Sequence, residues 1–199
     1  MISPHLTIES DKVKLRPLEQ KDIAPFSTLV KETSLWKYFT VELNETGQLE
    51  KWVGLAIKDR EKGIRFPFTI IEKSTKAITG STSYGSISYF DKRIEIGWSW
   101  LGAPYQGTGI NFHAKFCLLN YAFEILQFER VEIKTDNLNE RAKQGLRKIG
   151  AKEEGVLRSH MQMPFDRRRD SVFFSILKDE WPEVKNSIFK EITSFQHSE

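Results

Sequence analysis

Gln106-Gly107-Thr108-Gly109-Ile110-Asn111 lies between an alternating apolar segment, Ile94-Glu95-Ile96-Gly97-Trp98-Ser99-Trp100-Leu101, and a helical pattern that continues to about Ile125. Strand, glycine-rich turn, helix is the layout of an anion cradle. The glycines let the backbone come close to a charged group, and the first free N–H groups of the helix point at it. On these residues alone a plain tight turn fits as well. Two nucleotide motifs are excluded. There is no GxxxxGK[ST], hence no P-loop lysine, and Phe112 occupies the third glycine position of a GxGxxG fingerprint.

Upstream, His5 to Arg16 alternates as a first strand, and Leu18 to Val30 reads as a short helix. The aromatic stretch Leu35 to Phe39 has no clear period and is expected to be a loop or single turn. Gly47 to Lys62 places Leu49, Trp52, Val53, Ala56 and Ile57 at helical spacing, which predicts a helix with one buried face. Phe66–Glu72, Ala77–Phe90 and Ile94–Leu101 follow as three antiparallel strands in series. A dinucleotide fold would place a parallel βαβ unit here instead. Downstream come a strand at Arg130–Thr135, a helix from Glu140 stopped at Gly150, strands at Lys152–Met163 and Arg169–Leu177, and a closing helix opened by Glu180-Trp181-Pro182. The last ~10 residues are expected to be mobile. This order predicts an α/β (α+β) fold in one domain over residues 1–199, with its core at about 8–182. Its sheet is mixed, mostly antiparallel and seven-stranded, with helices on both faces.

Bulk properties narrow the partners. A net charge of +3 is too small to imply a nucleic-acid binder. The single cysteine, Cys117, excludes an internal disulfide and reads as a core filler. With one Cys and four scattered His no zinc pattern forms, and no metal is expected. There is no cationic start followed by an apolar segment, nor an apolar run of ~18 residues, so no membrane partner and a cytoplasmic location are expected.

Several stretches together resemble the GNAT superfamily of acyl-CoA-dependent N-acyltransferases, and within it the RimJ/RimL branch. They are Ile94-Glu95-Ile96-Gly97-Trp98, Tyr105 to Asn111, Asn139 with Lys148-Ile149-Gly150-Ala151, Glu154 to Arg158, Arg169-Asp170-Ser171-Val172 and Glu180-Trp181-Pro182. The resemblance implies that acetyl-CoA is the co-substrate and a primary amine the acceptor, either a protein N-terminus or a small molecule. It implies that the turn Gln106, Gly107, Thr108, Gly109, Ile110, Asn111 wraps the CoA pyrophosphate, with Asn111 standing where Gly or Ala is usual. Ser99, Trp100 and Leu101 would line the pantetheine arm, Asn139 would hydrogen-bond it, and the thioester would sit where this strand splays from the next. A homodimer is consistent with the branch.

The catalytic residues are less fully prescribed. Positions that often hold a Ser or Tyr acid are Ala142 and Leu146, so the general acid is unassigned. An attacking amine must lose a proton. Glu95 is the candidate base, placed by strand parity on one face with Gly97 and Ser99. His160 is the second candidate, and Tyr84 and Ser86 stand outside these. The missing acids keep open an alternative, a CoA-binding sensor or scaffold with little or no turnover.

Overall fold

The computed structural model describes residues 1–199. Its strands are β1 (Thr7–Ser10), β2 (Val13–Pro17), β3 (Phe66–Glu72), β4 (Ile78–Ser88), β5 (Arg93–Leu101), β6 (Arg130–Asp136), β7 (Lys152–Gln162), β8 (Arg168–Leu177) and β9 (Phe195–Ser198). Its helices are α1 (Ile23–Leu29), α2 (Gln48–Glu61), α3 (Ile110–Asn120), α4 (Glu140–Lys148) and α5 (Trp181–Ser187). All strands join one sheet in the order β7-β8-β6-β5-β4-β3-β2-β1-β9. Every pair is antiparallel except β5 with β6.

The sheet has nine strands rather than seven, for two reasons. The segment read as one strand from His5 to Arg16 is a hairpin: the chain turns at Asp11-Lys12 and Ile8 faces Leu15 across β1 and β2. The tail expected to be mobile forms β9 and pairs with β1 from Thr7–Ser198 to Ser10–Phe195. Phe195 there packs against the main core beside Phe116.

Helices cover both faces, as the pattern predicted. On one face α1 and α2 bury Phe26, Leu49, Val53 and Ala56 against Trp36 and Trp100. On the other, α3 and α5 cover Ile94, Ile96, Val131, Ile133, Phe174 and Ile176. Helix α3 is apolar nearly all round, with Ala114 through Leu119 buried, and it runs on into a π-helical turn at Tyr121–Ile125. Cys117 is a core filler, its thiol pushed up to about 12 by burial.

Two features of the sheet shape the region between β5 and β6. The parallel ladder between β5 and β6 has only three rungs, Arg93–Arg130, Ile94–Val131 and Glu95–Glu132. Strand β5 nevertheless runs on to Leu101 and β6 to Asp136, so the sheet opens between them. Strand β5 also carries a bulge. Ser83 faces Gly97, but Ser81 faces Trp100, which leaves one extra residue on β5. Trp98 takes the left-handed conformation there, with φ 52°. That conformation is strained for a large side chain and is typical of sheets re-aimed near a functional site.

Candidate active site

The turn after β5 has the properties of an anion cradle. Gly107 and Gly109 hold φ values of 78° and 88°, and Gly109 is the N-cap of α3. The first helical bond is donated by the His113 amide to the Gly109 carbonyl, and the amides from Gly107 to Phe112 donate to no protein acceptor. A run of unpaired N–H groups at the positive end of an eleven-residue helix suits a phosphate group. A Cβ on Gly107 would meet nothing within 4 Å, so the turn is uncovered there.

Two cations flank the turn. Lys12 Nζ donates to the Thr108 carbonyl at 2.5 Å, and Arg141 on α4 donates to Gln106 Oε1 at 2.5 Å. Gln106 in turn donates to the Leu101 carbonyl at 3.1 Å and ties the turn to the end of β5. Neither cation was singled out from the sequence, because Lys12 reaches the turn from the β1–β2 hairpin and carries no local motif. Asn139 caps α4: its Oδ1 accepts the Ala142 amide at 3.0 Å, leaving the side-chain N–H2 without a protein partner. Asn111 is exposed at the mouth of the cradle.

Strand β5 does not present its side chains as simple alternation predicts. The bulge at Trp98 shifts the phase, so Glu95 and Gly97 lie on the α1/α2 face while Ser99 and Leu101 lie toward α3. Trp100 is in the aromatic cluster under α1 and α2, edge-on to Phe26 at 4.8 Å and to Trp36 at 5.7 Å between centroids. Each such pair contributes about 0.5–1.5 kcal/mol beyond burial. Of the three residues expected along the pantetheine arm, Trp100 therefore offers only its backbone.

Glu95 is buried, not a solvated strand end. Its Oε2 accepts Lys134 Nζ at 2.5 Å and Ser86 Oγ at 2.8 Å. Its Oε1 has no protein donor and lies where a Cβ on Gly97 would come within 2.8 Å. Glu95 stands at the last rung before the sheet opens, so its free oxygen faces the α1/α2 side of the gap. Lys134, on β6, was missed because a salt bridge across a parallel pair leaves no spacing signature.

The other candidates fare differently. Tyr84 is fully buried and its hydroxyl donates to the Leu118 carbonyl, so it anchors α3 to the sheet and is unavailable for catalysis. Ser86 is engaged with Glu95. His160 is exposed, within a bulge of β7 where Leu157 faces Ser171 and Met161 faces Arg169. Its pKa is lowered by burial and by Lys134 and Arg169. Arg169 is buried and donates to Ser171 Oγ at 3.0 Å. Arg167 instead pairs with Asp136 at 2.5 Å.

Beside the bulge a guanidinium is stacked between two indoles. Arg65 lies 4.9 Å from the Trp52 ring and 4.7 Å from the Trp98 ring, with Nε donating to Ser83 Oγ at 3.0 Å. Burial pushes its pKa down to about 10. On the opposite face Lys115 of α3 is buried beneath β5. Its ammonium donates to Ser99 Oγ at 2.9 Å, and Ser99 shares a second bond with Thr82 Oγ1 at 2.7 Å. Two surface hollows, of about 360 Å³ beside Phe123 and Trp181 and about 500 Å³ beside Ile2 and Phe66, lie away from this region. We place the site by the cradle and the opened sheet, where unpaired backbone donors and charged side chains converge.

A glycine-rich helix start beside a split parallel pair in a mixed sheet is the arrangement that the resemblance to acyl-CoA-dependent N-acyltransferases implies. Comparison with known proteins agrees. The Acetyltransferase (GNAT) domain model matches residues 12–152, and the chain belongs to that family. Over 176 residues it is 26% identical to the uncharacterised N-acetyltransferase p20 of Bacillus licheniformis, covering 88% of this chain and 98% of that one. Over 109 residues it is 32% identical to YdaF of Bacillus subtilis (strain 168), named as a ribosomal N-acetyltransferase, covering 55% and 58% of the two chains. The Mycobacterium smegmatis RimJ structure, solved in complex with CoA-disulfide, shares the fold with a TM-score of 0.78 at 20% identity, covering 90% of each chain. The protein is an N-acetyltransferase.

Proposed function

We propose that the protein moves an acetyl group from acetyl-CoA directly to a primary amine, in the gap between β5 and β6. The observation that carries this reading is the unbroken run of unpaired amides from Gly107 to Phe112 at the mouth of that gap. Lys12 and Arg141 add positive charge beside it, so the residues present suit a pyrophosphate. The N–H2 of Asn139 and the backbone of Ser99, Trp100 and Leu101 would hold the pantetheine arm. Bound acetyl-CoA supplies an activated acetyl group.

This chain's residues then have two tasks. An amide of β5 beyond the last β6 rung polarises the acetyl carbonyl, since on its β6 side the strand has no neighbour there to use its donors. Glu95 Oε1 takes the proton of the attacking amine, while Lys134 and Ser86 hold the carboxylate in one orientation. His160, exposed and outside these hydrogen bonds, is the weaker base. The acceptor enters from the α1/α2 side, where Trp98 is 38% exposed.

The test is thiol release from acetyl-CoA over a panel of peptides with free N-termini, spermidine, single amino acids and aminoglycosides. Amine-dependent release with at least one of them is expected. Tight CoA binding with no release from any amine would sink the transferase reading and leave a CoA-binding sensor.

A further inference from the structure

Lys115 is hard to explain as a structural residue. Its side chain lies in the second turn of α3, 4% exposed, among Ala114, Phe116, Cys117, Leu118 and Leu119. It makes no ion pair. One hydrogen bond, to Ser99 Oγ at 2.9 Å, is the only bond made by a group with three donors. A buried ammonium so poorly partnered is costly, and replacing such a group by an apolar one of similar size commonly stabilises a protein. Its position is specific. Ser99 is on β5 beyond the Glu95–Glu132 rung, in the stretch that β6 no longer covers. Lys115 therefore reaches the open part of the sheet from the α3 side, opposite Glu95.

We propose that Lys115 is a catalytic residue, the acid that protonates the departing CoA thiolate in the β5–β6 gap. This rests on the thioester binding there, as set out above. The amine nitrogen forms a bond to the acetyl carbon, and the C–S bond breaks with its electron pair going to sulfur. The Lys115 ammonium gives one proton to that sulfur and becomes a neutral amine, while Glu95 holds the proton lost by the attacking nitrogen. Both groups exchange with solvent to reset. Ser99 aims the ammonium, and Thr82 holds Ser99 in turn.

The electrostatics are consistent with this task. Burial brings Lys115 down to about 7, opposed by the negative charge of Glu95, the charged group that acts on it. An acid poised near neutral pH can both carry and release its proton. The assignment also answers a gap in the sequence, where the usual acid positions are Ala142 and Leu146. Leu146 is buried in the core and cannot serve.

The test is the ionisation of the thiol of bound CoA, followed by thiolate absorbance against pH with desulfo-CoA as the blank. A cation beside sulfur favours the thiolate. In wild type the thiol should titrate at least one pH unit below that of free CoA, and Lys115→Met should abolish the shift while CoA affinity and thermal stability are kept or improved. A second readout uses the leaving group. With acetyl-CoA and the best amine of the panel, Lys115→Met should lose roughly 10²-fold in kcat. With S-phenyl thioacetate, whose thiolate leaves unaided, the loss should shrink to a few-fold. An unshifted thiol in wild type, or an equal loss with both donors, overturns the proposal. A wild type that binds no CoA removes the cofactor reading on which it rests.

Discussion

Glu95 shows how one side chain can be placed by alternation and still be misjudged in its surroundings. The pattern Ile94-Glu95-Ile96 set the carboxylate opposite the core, but its partners Lys134 and Ser86 come from the neighbouring strands β6 and β4. Glu95→Gln keeps the size and both contacts' reach while removing the base. It is expected to lower kcat roughly 10²-fold at neutral pH with CoA affinity unchanged, and an unaltered pH–rate profile would take Glu95 out of the role. A different carboxylate secures the fold. Asp22 is fully buried and accepts from Arg16 Nη1 at 2.8 Å, Thr69 Oγ1 at 2.6 Å and the Glu19 amide at 2.9 Å. Burial pushes its pKa up, and these donors outweigh burial and hold it below the ordinary carboxylate value. A depressed pKa stabilises the fold above the unfolded value near 3.8 and loses that contribution as pH falls through the folded value. Asp22→Ala is expected to cost about 3–5 kcal/mol in denaturant titration at pH 7, by stranding Arg16, and to flatten the acid limb of the stability curve. A loss under about 1 kcal/mol would show that the cluster is not structural.

Strand β5 is where element-level reading stopped working. Its limits were legible from alternation and from the glycine turn that ends it, and the helix after it was legible from its apolar spacing. The bulge was not, because Gly97-Trp98-Ser99 alternates as well as any regular strand and the extra residue is defined only against β4. One inserted residue moved Ser99 to the α3 side, and with it the hydroxyl that Lys115 needs. The same limit applies to β7, where the register shift between Leu157 and Met161 places His160 in an irregular stretch that the sequence does not announce. The glycines of β4 record the consequence of the β5 geometry. A Cβ on Gly80 would lie 2.1 Å from the Trp100 carbonyl oxygen, and one on Gly85 would lie 2.4 Å from the Trp98 ring. Gly80→Ala forces a backbone shift and is expected to destabilise by about 1–3 kcal/mol or more, read as a lower melting temperature with reduced CoA affinity. Gly85→Ala displaces only the exposed indole, so it should alter acceptor KM more than stability.

At the scale of the molecule, the order of elements was readable throughout, and the errors fell at the two ends. The hairpin at Asp11-Lys12 lacks the usual Gly or Asn-Gly turn signal, so β1 and β2 read as one strand. Strand β9 reads as a polar tail because its sequence, Phe195-Gln196-His197-Ser198, exposes all but Phe195. It covers the edge of β1, and the Tyr121 hydroxyl donates to Glu199 at 2.7 Å. Deleting residues 195–199 should lower the melting temperature by several degrees, at about 2–4 °C for each kcal/mol lost, without changing CoA affinity. The opened sheet and the cradle beside it are the features on which the proposed function depends, and both meet at Gln106–Asn111. The most direct measurement is isothermal titration of CoA into wild type and Gly109→Val. Gly109 holds φ +88°, and a side chain there is strained and lies 3.4 Å or less from Lys12 Nζ. One CoA is expected to bind wild type, with no detectable heat from the variant at the same concentrations. Equal affinity in both, or no binding by wild type, would contradict the account.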